Sequence, residues 1–565
     1  LGSTALGSGS GASGDNASAL GFQSTAQGRN STALGSSSKA QKIGSTALGF
    51  SSTASAINST SVGSSSKASG TNSAAFGVGS ISSGANSLSA GASSAAKGAS
   101  SQAVGDSSTA NGTGSIALGS HASSGTSQVI RIPQPNDEDD NPVDPEEITL
   151  STTNTIAIGY KASAGSFDQE EKEAIGNASI AIGTESRALA DGSIAFGLLS
   201  NASELGSTAV GALAAASGVS SQAFGDSANA AGDYSAASGF QSISSGRYTQ
   251  ASGYQAKASG ESAIAIGPNA GASGASSTSI GASAKAAKQG SIAVGHLASA
   301  IADRSISIGS GSTANGSCSM ALGWNANATD TNAIAIGYTA HAVGINSTAV
   351  GTSALAQANY SSSYGTLANA SGLASMAFGA GANASETGAI AHGVNSIASG
   401  ANSSTFGTAS TATKEDAIAF GYSAAASGVD AIAIGKSSVA SEANSTAIGT
   451  EAKATKVNSS AFGDAAEASG NQSTAFGAGS AATQENATAI GEKAKASGTQ
   501  STAIGRQALA NKHDATALGT VSKATNARST AIGVLTKASG KCSTAVGALA
   551  VANGLLSQAF GANAT

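Results

Sequence analysis

Residues 444–449 of the chain read Asn-Ser-Thr-Ala-Ile-Gly, and this hexapeptide returns with small changes along nearly all of the 565 residues. Its last residue, which we call the register glycine, recurs every fourteen residues over 7–119 and 183–561, with one further copy at Gly159. A short fixed period of this kind is typical of a solenoid, in which each turn packs on its neighbours. We therefore predict an all-β parallel solenoid of about 38 turns, each with two short strands and two bends.

Two columns of residues define the orientation of the first strand. The residue two before the register glycine is Ala in 32 of the 38 turns, and the residue immediately before it is Leu, Ile, Val or Phe in 33. We call these the alanine column and the apolar column. Neighbouring residues of a strand point to opposite faces, and a fourteen-residue coil is too narrow for bulky side chains. The alanine column is therefore predicted to line the lumen, and the apolar column to lie on an outer face.

The apolar column predicts self-association. Each large aliphatic or aromatic side chain is stabilised by about 1.5–3 kcal/mol when it is buried, so a continuous stripe of them needs a cover. Other chains must supply that cover, although the spacing alone fits a dimer as well as a trimer. A second alanine column, five residues after the register glycine, is predicted to form the opposite wall of the lumen.

Particular residue types recur at the bends and at one solvent-exposed position of the repeat. Glycines seven residues after the register glycine are predicted to need a positive φ, and Asn five residues before it is predicted to serve another bend; the glycines are Gly14, Gly28, Gly70, Gly218 and Gly400. Lysines favour the position four residues after the register glycine, which is therefore predicted to be exposed; they are Lys39, Lys67, Lys257, Lys285, Lys453, Lys495, Lys523 and Lys537.

The composition excludes several classes of protein. Charged residues make up only 10% of the chain and the net charge is −6, which fits neither a highly charged disordered segment nor a basic nucleic-acid binder. No apolar run is long enough to span a membrane, and the sequence starts inside a repeat, so we expect a piece of a longer protein. Cys318 and Cys542 lie sixteen turns apart, about 77 Å at 4.8 Å per turn, and are predicted to be unpaired.

Two insertions interrupt the period. The predicted organisation is head repeats over 1–121, an acidic Pro-rich insertion over 122–148, one repeat over 149–163, a charged insertion over 164–174, and repeats over 175–565. The first insertion holds four of the five prolines, so it cannot continue the strands. The charged run of the second is compatible with a short helical turn.

The insertions are the best sequence candidates for a specific ligand site, because they follow one another and could form one knob. The named candidates are Asp137, Glu138, Asp139, Asp140, Phe167 and Asp168. A solvated acidic excursion is the preferred interpretation over a calcium or receptor site, since no glycine interrupts the acidic run. No histidine pair has metal-ligand spacing, and no catalytic arrangement stands out, so we expect neither a cofactor nor an enzyme.

The Asn-Ser-x-Ala-apolar-Gly motif on a fourteen-residue period resembles the head repeats of YadA-like trimeric autotransporter adhesins of Gram-negative bacteria. The resemblance covers nearly the whole chain. It implies a left-handed parallel β-roll, with three chains side by side and the apolar column around the trimer axis. The interface residues that it implies include Leu34, Phe76, Ile158, Ile336, His392 and Phe560.

The resemblance also implies a function and a location. Such a head is a non-enzymatic adhesin, exposed at the outer membrane surface and involved in virulence, and it attaches the cell to host matrix, host cells or abiotic surfaces. Its partners would be two further copies of itself and a surface molecule, with no nucleic acid, and with the membrane reached only through a C-terminal anchor outside these residues. His392 is expected to be packed and hydrogen-bonded and not to form an ion site.

Two other interpretations remain open from the residues. An ice-binding or surface-layer solenoid would use the threonines three residues before the register glycine as a regular ladder. That ladder shares its face with the apolar column, so a trimer would bury it. A polysaccharide-degrading β-helix would need clustered carboxylates on successive turns, and the regular repeats show none.

Overall fold

The computed structural model describes residues 2–125, 127–132, 146–168 and 173–565. Strands and bends account for the secondary structure of these residues, and no helix occurs among them. The chain divides into two compact units, Leu1–Ser291 and Ile292–Thr565. In each unit a turn contributes one three-residue strand, which we call the long strand, and one two-residue strand, the short strand. The predicted all-β parallel solenoid is confirmed.

In the first unit the long strands begin with Thr4–Leu6 and repeat every fourteen residues to Ile116–Leu118. Ile156–Ile158 follows, and the repeat resumes from Ile180–Ile182 to Thr278–Ile280. The short strands run with the same period from Gly11–Ala12 to Ser123–Ser124, then Ser163–Ala164, then from Arg187–Ala188 to Lys285–Ala286. The described part of this unit thus holds 18 long and 18 short strands.

The second unit is uninterrupted. Its long strands run every fourteen residues from Ile292–Val294 to Gln558–Phe560, and its short strands run from Ser299–Ala300 to Val551–Ala552. In both units, strands pair in parallel with a shift of one repeat, so that Ala447 pairs with Ala461. The register survives both insertions, since Ala157 pairs with Ala117 on one side and with Ala181 on the other.

The lumen of each unit is filled by small side chains. Beyond the first turn the alanines of both columns are buried, as Ala447 and Ala454 illustrate, and the largest fully buried side chains among the described residues are threonines. Two serine-rich positions also face inward, four residues before and three residues after the register glycine, and their hydroxyls close the bends. Ser45 Oγ donates to Lys42 O at 2.6 Å, and Ser24 Oγ donates to Gly21 O at 2.9 Å.

Each turn places residues in the left-handed region at its bends. The register glycine has φ near +130°, as at Gly477, which only glycine adopts readily. Residues two after and five before the register glycine have φ near +55°, and Asn72 at the second of these positions confirms the predicted role of asparagine. Asn72 Nδ2 also donates to Asn86 Oδ1 of the next turn at 3.1 Å.

The prediction for the second set of glycines was wrong. Gly14, Gly28, Gly70, Gly218 and Gly400 do not have φ in the left-handed region. They are small because successive turns approach closely there: a Cβ on Gly28 would lie 1.9 Å from Lys42 O. These positions are therefore glycine because the backbones of successive turns lie very close together there, and not because the bend needs a positive φ.

The two insertions leave the solenoid at the same corner, directly after a short strand. Ser127–Ile132 pairs antiparallel with Glu146–Ser151, and Ser166–Asp168 pairs antiparallel with Glu173–Ile175. The strand Glu146–Ser151 lies beside Glu173–Ile175. Phe167, Asp168 and Glu173 therefore lie in strands and not in the predicted helical turn, while residues 169–172 of that run lie outside the described residues. Ser123–Ser124 still pairs with Thr109–Ala110 of the solenoid, so the first excursion begins after the predicted boundary at residue 122.

Candidate self-association face and other exposed surfaces

The outer face of the long strands carries the apolar column. In the second unit Phe406 is 39% exposed and Phe420 is 55% exposed, whereas Ala419 of the alanine column is completely buried. The column therefore lies outside the lumen, as predicted. A stripe of large apolar side chains with this exposure is rare on a monomeric protein and marks an interaction surface.

Aromatic residues form a ladder within this column of the second unit. The rings of Tyr364 and Phe378 stack at 4.8 Å, and His392 meets Phe378 and Phe406 edge-on at 6.0 and 5.4 Å. Phe420 continues the row at 5.9 Å from Phe406. The ladder forms because residues of one column are direct partners in parallel strands about 4.8 Å apart. It makes a continuous strip of five rings across five consecutive turns.

The first unit contains a gap in the column. Ser238 and Ser252 occupy it in successive turns and pair directly with one another. Aromatic pairs flank the gap at both corners: Tyr234 stacks on Tyr248 at 5.3 Å, and on the other side Phe240 stacks on Tyr254 at 5.6 Å. Small hydroxyl residues on the face are thus combined with large rings at its borders, so the local surface is a shallow depression between two ridges.

The predicted interface residues all lie on the outer face of long strands, each within its own unit. Leu34, Phe76, His392 and Phe560 are exposed, while Ile158 and Ile336 are half-buried by their neighbours. Phe560 is 63% exposed. His392 packs between two phenyl rings, and its predicted hydrogen bond is not among the contacts of this ring. Whether three copies meet at an axis stays a prediction of the family resemblance.

The predicted ligand site in the insertions is only partly described. Asp137, Glu138, Asp139 and Asp140 lie outside the described residues. Phe167 and Asp168 belong to the strand Ser166–Asp168, where Phe167 pairs with Ala174. The knob therefore stays a prediction, and the observation that favours it is the contact between the two antiparallel strand pairs of the insertions.

Candidates for chemistry are sparse on the rest of the chain. No group of three or more His, Cys, Asp or Glu side chains that could hold a metal ion occurs among the described residues. Cys318 and Cys542 are both free thiols, as predicted. In the same described ranges, no helix has the length and apolarity needed to cross a membrane. The candidates for function in the described residues are therefore the outer faces of the two strand sets.

The outer face of the short strands differs from that of the long strands. The position four residues after the register glycine points outward there, opposite the inward alanine that follows it, and the lysines at this position are exposed. The prediction that the position four residues after the register glycine is exposed to solvent is confirmed. Since the two strand sets form opposite walls of the lumen, this lysine column and the apolar column face in opposite directions.

These features define the class: a parallel β-solenoid with an alanine and serine lumen, one apolar outer face suited to self-association, and one polar outer face. The model of the YadA head domain repeat (2 copies) matches 18 overlapping or separate segments that together exceed half of the chain. The matches are to residues 1–24, 12–38, 26–52, 40–66, 96–122, 174–200, 216–242, 244–270, 272–298, 314–340, 342–368, 391–413, 398–424, 412–438, 426–452, 454–480, 482–508 and 510–536.

The chain belongs to the YadA head family, and the resemblance stated from the sequence is confirmed. A search of curated proteins gave no match. The apolar face and the family thus agree on a surface protein of the trimeric autotransporter adhesin type.

Proposed function

We propose that this chain is the head of a non-enzymatic homotrimeric adhesin, exposed at the outer membrane of a Gram-negative bacterium, that attaches the cell to host matrix, host cells or other surfaces. The observation that supports this most directly is the apolar column, which a single chain leaves open on one face of each unit. The membership of the YadA head family makes two further copies of the chain the natural cover. Adhesion then follows from presentation, since many weak contacts on one cell add up to avidity.

The ice-binding alternative is not favoured. Thr446, three residues before its register glycine, lies on the same outer face as Ile448. A threonine ladder in that place alternates with bulky apolar side chains and cannot present a flat hydroxyl lattice. A cover over the apolar column would bury it as well.

The first test is the mass of the protein in solution. A trimer has three times the chain mass of 53.2 kDa, and light scattering distinguishes it clearly from a monomer or a dimer. A stable monomer would contradict the proposal, because the apolar column would then have no cover.

The second test asks which face is covered. Phe406 in the apolar column and Ile397 on the outer face of a short strand have nearly equal exposure in the single chain, 39% and 38%. In a background with Cys318→Ser and Cys542→Ser, we expect the thiol of Phe406→Cys to react far more slowly with a maleimide than that of Ile397→Cys. Similar rates at the two positions would show that the apolar column is not the interface.

A further inference from the structure

One stretch of the second unit is strongly basic although the protein as a whole is acidic. Residues 492–541 contain eight lysines and arginines but only two carboxylates, a net charge of +6, whereas the whole chain carries −6. All eight cationic side chains are exposed. We call them the basic patch: Lys493, Lys495, Arg506, Lys512, Lys523, Arg528, Lys537 and Lys541.

Both carboxylates of this stretch are already engaged. Glu492 lies 3.8 Å from the ammonium group of Lys493, and Asp514 lies 3.7 Å from Arg528 Nε and 2.9 Å from His513 Nε2. In the described part of the chain, no carboxylate pairs with any of the other six cations. The basic patch therefore keeps most of its charge available to a partner.

The strand register brings the lysines together. Lys523 and Lys537 are direct partners in neighbouring parallel short strands, and Lys495 precedes them in the same column, separated from Lys523 by Leu509. Neighbouring strands are about 4.8 Å apart, well within the Debye length of about 8 Å at physiological ionic strength. Like charges directly opposite one another destabilise a sheet. The fold thus holds a row of cations whose repulsion an anionic partner would relieve.

The location of this row leaves it free in the assembly. It lies on the outer face of the short strands, which points away from the apolar column across the lumen. The row therefore stays accessible when other chains cover the apolar face. It also runs along the stacking direction, so a linear partner with regularly spaced negative groups could follow it from turn to turn.

We infer that the basic patch binds a linear sulfated polysaccharide, an assignment that rests on the proposed adhesin function and names its partner class. Six of the eight cations are lysines, which bind anionic groups as point charges and do not impose the bidentate geometry of an arginine fork. Residues 492–541 contain no Phe, Tyr or Trp, so the surface lacks the rings on which nucleic-acid bases stack. A trimer presents three such rows and gains avidity on a long polymer.

The chain offers a matched control for the test. Lys257, Lys285 and Lys453 occupy the same column position and are exposed, but they lie outside residues 492–541. Lys453 also has a carboxylate, Glu467, as its direct strand partner. The triple variant Lys257→Gln, Lys285→Gln, Lys453→Gln therefore removes as many charges from the same kind of site without touching the basic patch.

The experiment measures binding of the full chain to immobilised heparin by surface plasmon resonance. For the triple variant Lys495→Gln, Lys523→Gln, Lys537→Gln we expect affinity to fall about tenfold, as three weak surface charge contacts are lost. For the control triple variant we expect a change within about twofold. Binding of the unmodified chain should weaken as salt is raised, and desulfated heparin should bind much less well.

The inference would be overturned if the two triple variants lost the same amount of affinity for heparin, or if the first variant lost none. It would also be overturned if the chain bound duplex DNA more tightly than heparin at the same concentration of anionic groups. Light scattering on every variant keeps this result separate from the proposed function. A trimer that does not bind heparin would contradict only the inferred polysaccharide site, whereas a monomer would contradict the proposed trimeric adhesin head.

Discussion

A single methyl group added at a register glycine should open the solenoid locally, while the same methyl group two residues later should not. Gly477 has φ +131°, and a Cβ there would lie 2.6 Å from the backbone carbonyl group of Gly491 in the next turn. Gly479 has φ +62°, and its Cβ would meet only Lys493 Cγ at 3.4 Å. The two positions share one corner, so each is a control for the other.

The cost of Gly477→Ala has two sources. The backbone conformation is one that side chains rarely adopt, which costs about 1–3 kcal/mol. Relieving the contact with Gly491 also requires the two turns to separate, and the hydrogen bond from Gly491 N to Phe476 O, 2.7 Å long, would stretch toward its limit at a cost of about 1 kcal/mol. We expect Gly477→Ala to destabilise its turn by about 3 kcal/mol in total. For Gly479→Ala we expect about 1 kcal/mol or less, because the lower entropy of the unfolded chain offsets part of the backbone strain.

Hydrogen exchange followed by mass spectrometry is the appropriate assay, because each turn of a solenoid contacts mainly its neighbours and opens locally. Protection of the amides in the turns on either side of residue 477 should fall by roughly two orders of magnitude in Gly477→Ala, given 1.4 kcal/mol per factor of ten. In Gly479→Ala the same peptides should change little. Equal protection in the two variants would refute the argument from backbone proximity.

Three further outcomes are expected. Ala447→Leu places a large side chain in the lumen and should destabilise its turn by about 1–3 kcal/mol or more, whereas Ile448→Leu on the outer face should cost less than about 1.5 kcal/mol; hydrogen exchange compares them. Ser45→Ala removes a hydroxyl that closes a bend and should cost about 1 kcal/mol by the same assay, unless the bend is held by its backbone alone. Cys318→Ser with Cys542→Ser should leave the calorimetric unfolding profile unchanged, and a large shift would show that the thiols are not free.

The sequence predicts the alternation of inward and outward residues well, because period two in a strand is a direct consequence of backbone geometry. Ala447 and Ile448 could be assigned to opposite faces from their sizes alone. The inward serines such as Ser45 were missed for a chemical reason. Serine is abundant in this chain on both faces, and only its fixed position relative to the register glycine distinguishes a buried hydroxyl from a solvated one.

The role of Gly28 could not be predicted because a glycine column has two physical explanations, a positive φ or a close approach of another backbone. Choosing between them requires the position of the next turn. The strands of the second insertion could not be predicted for a related reason, since a short charged run is compatible with a helical turn and with paired strands. The structure pairs Ser166–Asp168 with Glu173–Ile175, and local sequence preferences do not decide that pairing.

The parallel register of the second unit has a consequence for how the number of repeats can change during evolution. If residues 450–463 were deleted, Gly449 would take the place of Gly463, and Ala447 would pair with Ala475 in the way that it now pairs with Ala461. Every lumen contact and every bend would be replaced by an equivalent one. Unequal crossing-over between repeats of the gene can therefore add or remove whole turns without inventing a new fold, while any other change of length displaces the pattern and is tolerated only at a corner.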